Sequence, residues 1–388
     1  MKAKRTEINK VVVVGLDGLE PKIVAALLAA GELPNLAKLA GQGGLTTVAT
    51  TSPAQTPAAW STFATGVNPG GHGIFDFIRR DPQTYRPDLA LNRYEASRPW
   101  LPPKAVNLRR GVAVWDRLSD SGIGSTIVRC PCTYPPSLGR GRMLSGMGVP
   151  DLRGGLGTPT FYTTSDDLAP RESESVVPLS GGSDRRFVTH LIGPRNPKDG
   201  LPLGCELTIE TDPGGDLVVI RAAGSAVSLT LRRGYWSDWL RVKFKAGALQ
   251  SVRGLVRFYL IGLEPRLELY ASPINFDPEQ PLFPISSPSG FARELADEIG
   301  LFHTTGMVED HTGLNNERID ESAFLSQCDD AWQEREAMML LELDRFDQGL
   351  FYCLFDTPDR VQHMFWRYRE PDHPAHRGRP PSDEFLGV

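Results

Sequence analysis

Val11-Val12-Val13-Val14-Gly15-Leu16-Asp17-Gly18 is the stretch whose reading decides the fold. Four β-branched residues in a row predict a strand buried on both faces, as in a parallel sheet. The run ends at a glycine-flanked aspartate, and ligands collect at the carboxyl ends of strands in parallel α/β sheets. Outward from there, helical patterns cover 21–30 and 34–40, a strand is expected over 45–50 and a helix over 57–65. A helix over 112–119 and a strand over 125–129 continue the series. This alternation predicts an α/β core with a mostly parallel sheet.

The character changes near residue 135. Residues 135–200 are rich in Gly, Pro, Ser and charge, and strand-like runs follow at 207–209, 217–220, 227–231, 240–244 and 256–261. A helical pattern returns over 290–300. A long amphipathic helix is expected over 321–347, with Phe324, Leu325, Trp332, Met339, Leu340, Leu343 and Phe346 on its apolar side. Leu350-Phe351-Tyr352-Cys353-Leu354-Phe355 reads as a second buried strand. The expected organisation is a first part of the α/β core (1–135), a loop- and β-rich insertion (136–285) and a second part of the core (286–388).

Composition narrows the class. The 388 residues are 40% hydrophobic and 23% charged, which excludes a disordered chain, a collagen and a coiled coil. The 39 glycines and 32 prolines predict many turns and long loops. A net charge of −5 argues against a nucleic-acid footprint. No run of 18 apolar residues is present, so no membrane-spanning helix is expected. The apolar run at Val11–Val14 is too short for a signal-peptide core, which favours the cytoplasm. The cysteines at 130, 132, 205, 328 and 353 read as free thiols.

Three local constellations carry chemistry. Asp17 either caps the following helix or holds a divalent metal. Thr56, before Pro57, suits an N-cap with proline at the first helical position. Its hydroxyl then lies at a helix N-terminus, an anion site, where a metal-activated hydroxyl could attack phosphorus. Asp359 and His363, one helical turn apart after Pro358, either form an exposed ion pair or grip one metal together.

Taken in order, Gly15-Leu16-Asp17-Gly18, Thr56 nine residues before Thr65-Gly66, Asn68-Pro69-Gly70-Gly71-His72-Gly73-Ile74, and Pro358-Asp359 with His363 resemble the alkaline phosphatase superfamily. The specific likeness is to its type I phosphodiesterase/nucleotide pyrophosphatase branch, strongest over 10–80 and 320–376. The resemblance implies an alkaline phosphatase-like three-layer α/β/α core with a mostly parallel sheet and a β-rich insertion. It implies two divalent metal ions, zinc or alternatively manganese, one held by Asp17 and Thr56 and the other by Asp359 and His363. Thr56 would be the catalytic nucleophile of a phospho-enzyme and His72 a structural loop residue. The substrate would be a small-molecule phosphate ester or nucleotide, a phosphodiester or pyrophosphate before a monoester.

Two departures bear on this. Ala59 stands where related phosphodiesterases often carry an asparagine that holds a phosphate oxygen. The family also continues with a strand ending in Asp-His-Gly and, much later, a final histidine, whereas the 25 residues after His363 are polar and Pro-rich, with no strand. Asp372-His373 lacks the strand before it and the glycine after it. The expectation is therefore a fragment, a split product or a shortened relative with half-built metal sites. Two other functions stay open: a phosphotransferase or mutase of the same superfamily, and a non-catalytic binding protein. Trp236 and Trp239 are expected to pack in the β-rich region, and Arg79-Arg80 and Arg109-Arg110 to be solvated loop charges.

Overall fold

The computed structural model describes residues 8–95, 103–166, 169–180, 185–212, 214, 216–247, 250–370, 372–376 and 385. Its organising element is a five-stranded sheet in the order Lys10–Leu16, Gly349–Phe355, Ser125–Val128, Gly141–Leu144, Ser286–Ser287. The first four strands run parallel and the short last one is antiparallel. The protein is thus α/β with a mainly parallel sheet, as the alternation predicts. Register is set by direct pairing of the two apolar runs, from Lys10 opposite Gly349 to Leu16 opposite Phe355.

The two runs differ in burial. Gly349–Phe355 has a neighbour on each side and is buried from Leu350 to Phe355. The valine strand has one neighbour and forms the sheet's edge. Val11, Val12 and Val14 remain 47, 49 and 48% exposed. The expectation that this strand is buried on both faces is corrected here. A β-branched run specifies extended backbone, but its burial depends on how many strands and helices reach it. An apolar cavity of about 610 Å³, lined by Val11, Val13, Phe63, Trp115 and Leu118 among others, opens beside it.

Helices form where expected at Pro21–Ala30, Pro34–Gly43, Thr56–Thr65, Val114–Asp120 and Phe291–Ile299. Residues 45–50 form no strand. Leu45 and Val48 are exposed, so that alternation has no sheet to join. The long helix runs Glu321–Asp344, and its buried side differs from the expected apolar stripe. Phe324 is buried, but Trp332 is 37% and Leu340 56% exposed. Gln327, Arg335 and Glu342 are buried instead. Arg335 explains part of this: it donates to the Leu354 carbonyl at 2.6 Å and pairs with Asp356 at 3.2 Å, binding the helix to the central strand through charge.

The middle of the chain is β-rich, as expected. Arg186–Arg195, Pro202–Thr211, Leu217–Ala222 and Ser228–Arg232 form an antiparallel meander. Two further sheets carry Leu240–Lys245, Ser251–Val256 and Asn275–Phe276, and Phe258–Gly262, Glu268–Ala271, Thr160–Thr163 and Ser175–Pro178. One hydrophobic cluster joins Leu207, Ile220, Phe244 and Phe258 of this region to Val128, Leu144, Phe351 and Phe355 of the parallel sheet. Trp236 packs on Tyr259 and donates to the Ala323 carbonyl, so it does structural duty. All five cysteines are free and buried. Among the described residues no single helix is long and apolar enough to cross a membrane.

Candidate active site at the carboxyl ends of the sheet

Each parallel strand hands the chain to a polar residue at its carboxyl end. Asp17 follows the valine strand, Asp356 follows Gly349–Phe355, and Arg129 follows Ser125–Val128. The Asp17 N–H donates to the Phe355 carbonyl at 2.9 Å, which fixes the two outer ends side by side. Gly18 then turns with φ +67°, and a Cβ there would lie 2.7 Å from the Asp359 Cα. Glycine is required both for the left-handed backbone and for this approach. Gln362 donates to the Gly18 carbonyl at 2.6 Å and closes the contact. The sequence-predicted residues Asp17 and Asp359, 342 positions apart, are thereby brought together.

Thr56 opens the helix Thr56–Thr65 as its first residue, with Gln55 as the cap. The expected frame, Thr56 as cap and Pro57 first, is shifted by one position. The hydroxyl still lies in the first turn, where helix N–H groups lack intrahelical acceptors. Trp60, one turn on, donates its indole N–H to Asp17 Oδ1 at 2.9 Å. Gly15 leaves room for that ring, since a Cβ there would meet Trp60 at 2.8 Å.

Burial, followed by the nearby charge of Asp359, pushes the Asp17 pKa up to about 6; the Trp60 and Thr56 donors pull against this. Asp17 Oδ2 is buried and has no hydrogen-bond partner. His363 lies 3.4 Å from Asp359 Oδ1, and its pKa is raised by that hydrogen bond. The His363 side chain is 69% exposed.

Sequence reasoning missed the charged layer beneath. Arg360 contacts Asp359 Oδ2 at 3.2 Å and comes within 4.0 Å of Glu309. Glu309, fully buried, accepts from the Thr357 hydroxyl at 2.6 Å. Asp356 is buried, which alone would raise its pKa, but Arg335, Arg129 and Arg360 hold it below the usual carboxylate range. Arg129, at φ +63°, donates to the carbonyls of Thr305, Thr304 and Ser145. Burial, followed by Arg335, pushes its pKa down to about 10. Arg360 was findable, since it adjoins Asp359 in the motif. Glu309 was not, because only the fold brings it in.

His72 is fully buried, with Nε2 3.0 Å from the Thr62 hydroxyl and Nδ1 accepting from the Ile74 N–H. Both nitrogens are occupied, which agrees with a structural role. Ala59 presents no polar group beside Thr56. Asp76 is exposed and engaged by the Phe77 N–H, while His311 lies within electrostatic reach of Arg360 and His363. Arg79 pairs with Asp88 at the surface.

An orphaned buried Asp17 oxygen, facing a second carboxylate that raises its pKa, suits one cation. Among the described residues no group of three or more His, Cys, Asp or Glu converges as a metal-binding group. Searches of curated proteins and of solved structures return no match. Residues 11–188, which hold Asp17, Thr56 and His72, match the model of the type I phosphodiesterase / nucleotide pyrophosphatase family, bearing out the resemblance read from the motifs and pointing to hydrolysis of a small phosphate ester.

Proposed function

We propose that the protein is a cytoplasmic hydrolase of small phosphodiesters or nucleotide pyrophosphates, acting through a Thr56 phospho-enzyme on an alkaline phosphatase-like three-layer core. Asp17, Thr56, Asp359 and His363 would hold its divalent cations, zinc before manganese. The observation that carries this reading is the meeting of Asp17, the Thr56 helix N-terminus and Asp359 at the carboxyl ends of adjacent parallel strands. Bound divalent cations supply positive charge that lowers the pKa of a nearby hydroxyl and offsets the charge of phosphate oxygens.

The chain's own groups do the rest. Asp17, held by Trp60, orients the Thr56 hydroxyl. Thr56 Oγ gives up its proton to solvent and forms a bond to phosphorus as the ester P–O bond breaks, and the leaving oxygen takes a proton from solvent. Water then attacks phosphorus on the opposite side, the Thr56 Oγ–P bond breaks, and Thr56 regains its proton. Helix N–H groups at the Thr56 end face the phosphate oxygens.

A phosphate-ester binder without turnover is the second reading, favoured by the lack of a convergent three-residue metal group among the described residues. The test is hydrolysis of bis(p-nitrophenyl) phosphate and of p-nitrophenyl phosphate, with zinc or manganese added and after chelation. The hydrolase reading expects the diester to be cleaved faster, with activity lost on chelation and in Thr56→Ala. No turnover of either ester with metal present would favour the binder.

A further inference from the structure

A second cavity, of about 790 Å³, lies between the β-rich region and the paired strands Asn92–Glu95 and Lys104–Asn107. That is within the usual range for small-molecule sites. None of Asp17, Thr56, Asp359 or His363 lines it. Part of its wall is aromatic. Tyr94 and Phe283 pack as tilted rings with centroids 5.0 Å apart, and Phe276 meets Phe283 edge-on at 6.4 Å. The Tyr94 hydroxyl is held 2.9 Å from that of Tyr134, which fixes the ring.

Another part of the lining is cationic, formed by Arg153, Arg195 and Lys198. Among the described residues no carboxylate lies within ion-pair distance of any of the three. Asp151 also lines the cavity, but its oxygens are taken by the N–H groups of Arg153, Gly155 and Thr158 at 2.8–2.9 Å. Arg153 is half-buried, with one N–H on Ser175, and it feels the opposite charge of Asp151 and, less strongly, the like charge of Arg195. A lone exposed cation is ordinary surface. Three that line one aromatic-walled cavity, one of them partly desolvated, outnumber the single carboxylate beside them and leave positive charge for an anion.

We propose that this cavity binds a small organic anion with an apolar, aromatic-sized body: the cations take its carboxylate, sulfonate or phosphate group, and the Tyr94–Phe283–Phe276 wall takes the body. The site is independent of the chemistry at Thr56.

The probe is 2-naphthalenesulfonate, which is no phosphate ester, titrated calorimetrically beside the uncharged 2-naphthalenesulfonamide. One site per chain is expected, with the neutral compound about tenfold weaker or worse, the scale of one lost charge-assisted hydrogen bond. Arg195→Gln and Lys198→Gln alter exposed side chains, so the fold should persist. Each should weaken the sulfonate several-fold, and the double variant by about tenfold or more. Tyr94→Ala should weaken both compounds, and Thr56→Ala neither. Equal affinity for the two compounds, or unchanged binding in the double charge variant, would each overturn the proposal.

Discussion

The valine strand Lys10–Leu16 and the strand Leu217–Ala222 are built from the same kind of residue, yet they are buried differently. Leu217–Ala222 is paired on both sides and alternates, with Val218 and Ile220 fully buried. The valine strand is paired on one side, and three of its four valines are about half exposed. Composition is therefore a statement about backbone preference, while burial is a statement about neighbours. The contrast also divides labour. The dense β-rich region shares one core with the inner parallel strands, whereas Asp17 and Thr56 sit at the thinly covered edge.

The largest effect should come at that edge in activity rather than stability. Thr56→Ala is expected to cut diester hydrolysis by roughly three orders of magnitude or more while shifting the thermal midpoint little, as read by steady-state kinetics and calorimetry. In stability the order reverses. Phe244→Ala, at a fully buried position, should cost about 3–5 kcal/mol by urea unfolding. Val12→Ala should cost about 1 kcal/mol or less, since half its side chain is already in water. Equal costs at the two positions would break the comparison, because the valine strand would then be covered in solution.

Asp17→Asn sharpens the same contrast through pH. In the metal-free protein the folded Asp17 pKa is about 6, above its ordinary 3.8. The folded state binds that proton more tightly than the unfolded one, so wild-type stability falls as pH rises from about 3.8 to 6 and is flat above. The asparagine variant escapes this loss. It should be more stable than wild type at pH 7.5, by at most about 3 kcal/mol, with the difference vanishing toward pH 4. Hydrolysis should be lost at the same time. Urea titrations in chelator at the two pH values check this.

Much of the fold was legible. The helices beginning at Pro21, Pro34, Thr56 and Phe291 and the central strand at Gly349–Phe355 follow from proline placement and apolar runs. The misses share a cause. Exposure of Val11 and Val12, the missing strand at 45–50 and the outward Trp332 and Leu340 all depend on which partners reach a segment, and periodicity does not encode that. At the candidate site, the proposed roles of Asp17, Thr56, Asp359 and His363 come from motif order alone. Arg360 and Trp60 could be found only by their nearness to Asp359 and Thr56, and Glu309 not at all, because its support arises from a contact with Thr357 across 48 positions.

The central claim is that Thr56 carries the phosphoryl group, and the most direct measurement is peptide mass mapping after acid quenching of the metal-loaded protein during turnover of bis(p-nitrophenyl) phosphate. The account predicts an aryl-phosphoryl adduct on the peptide containing Thr56, absent from Thr56→Ala. Turnover without any adduct, with Thr56→Ala as active as the wild type, would contradict it.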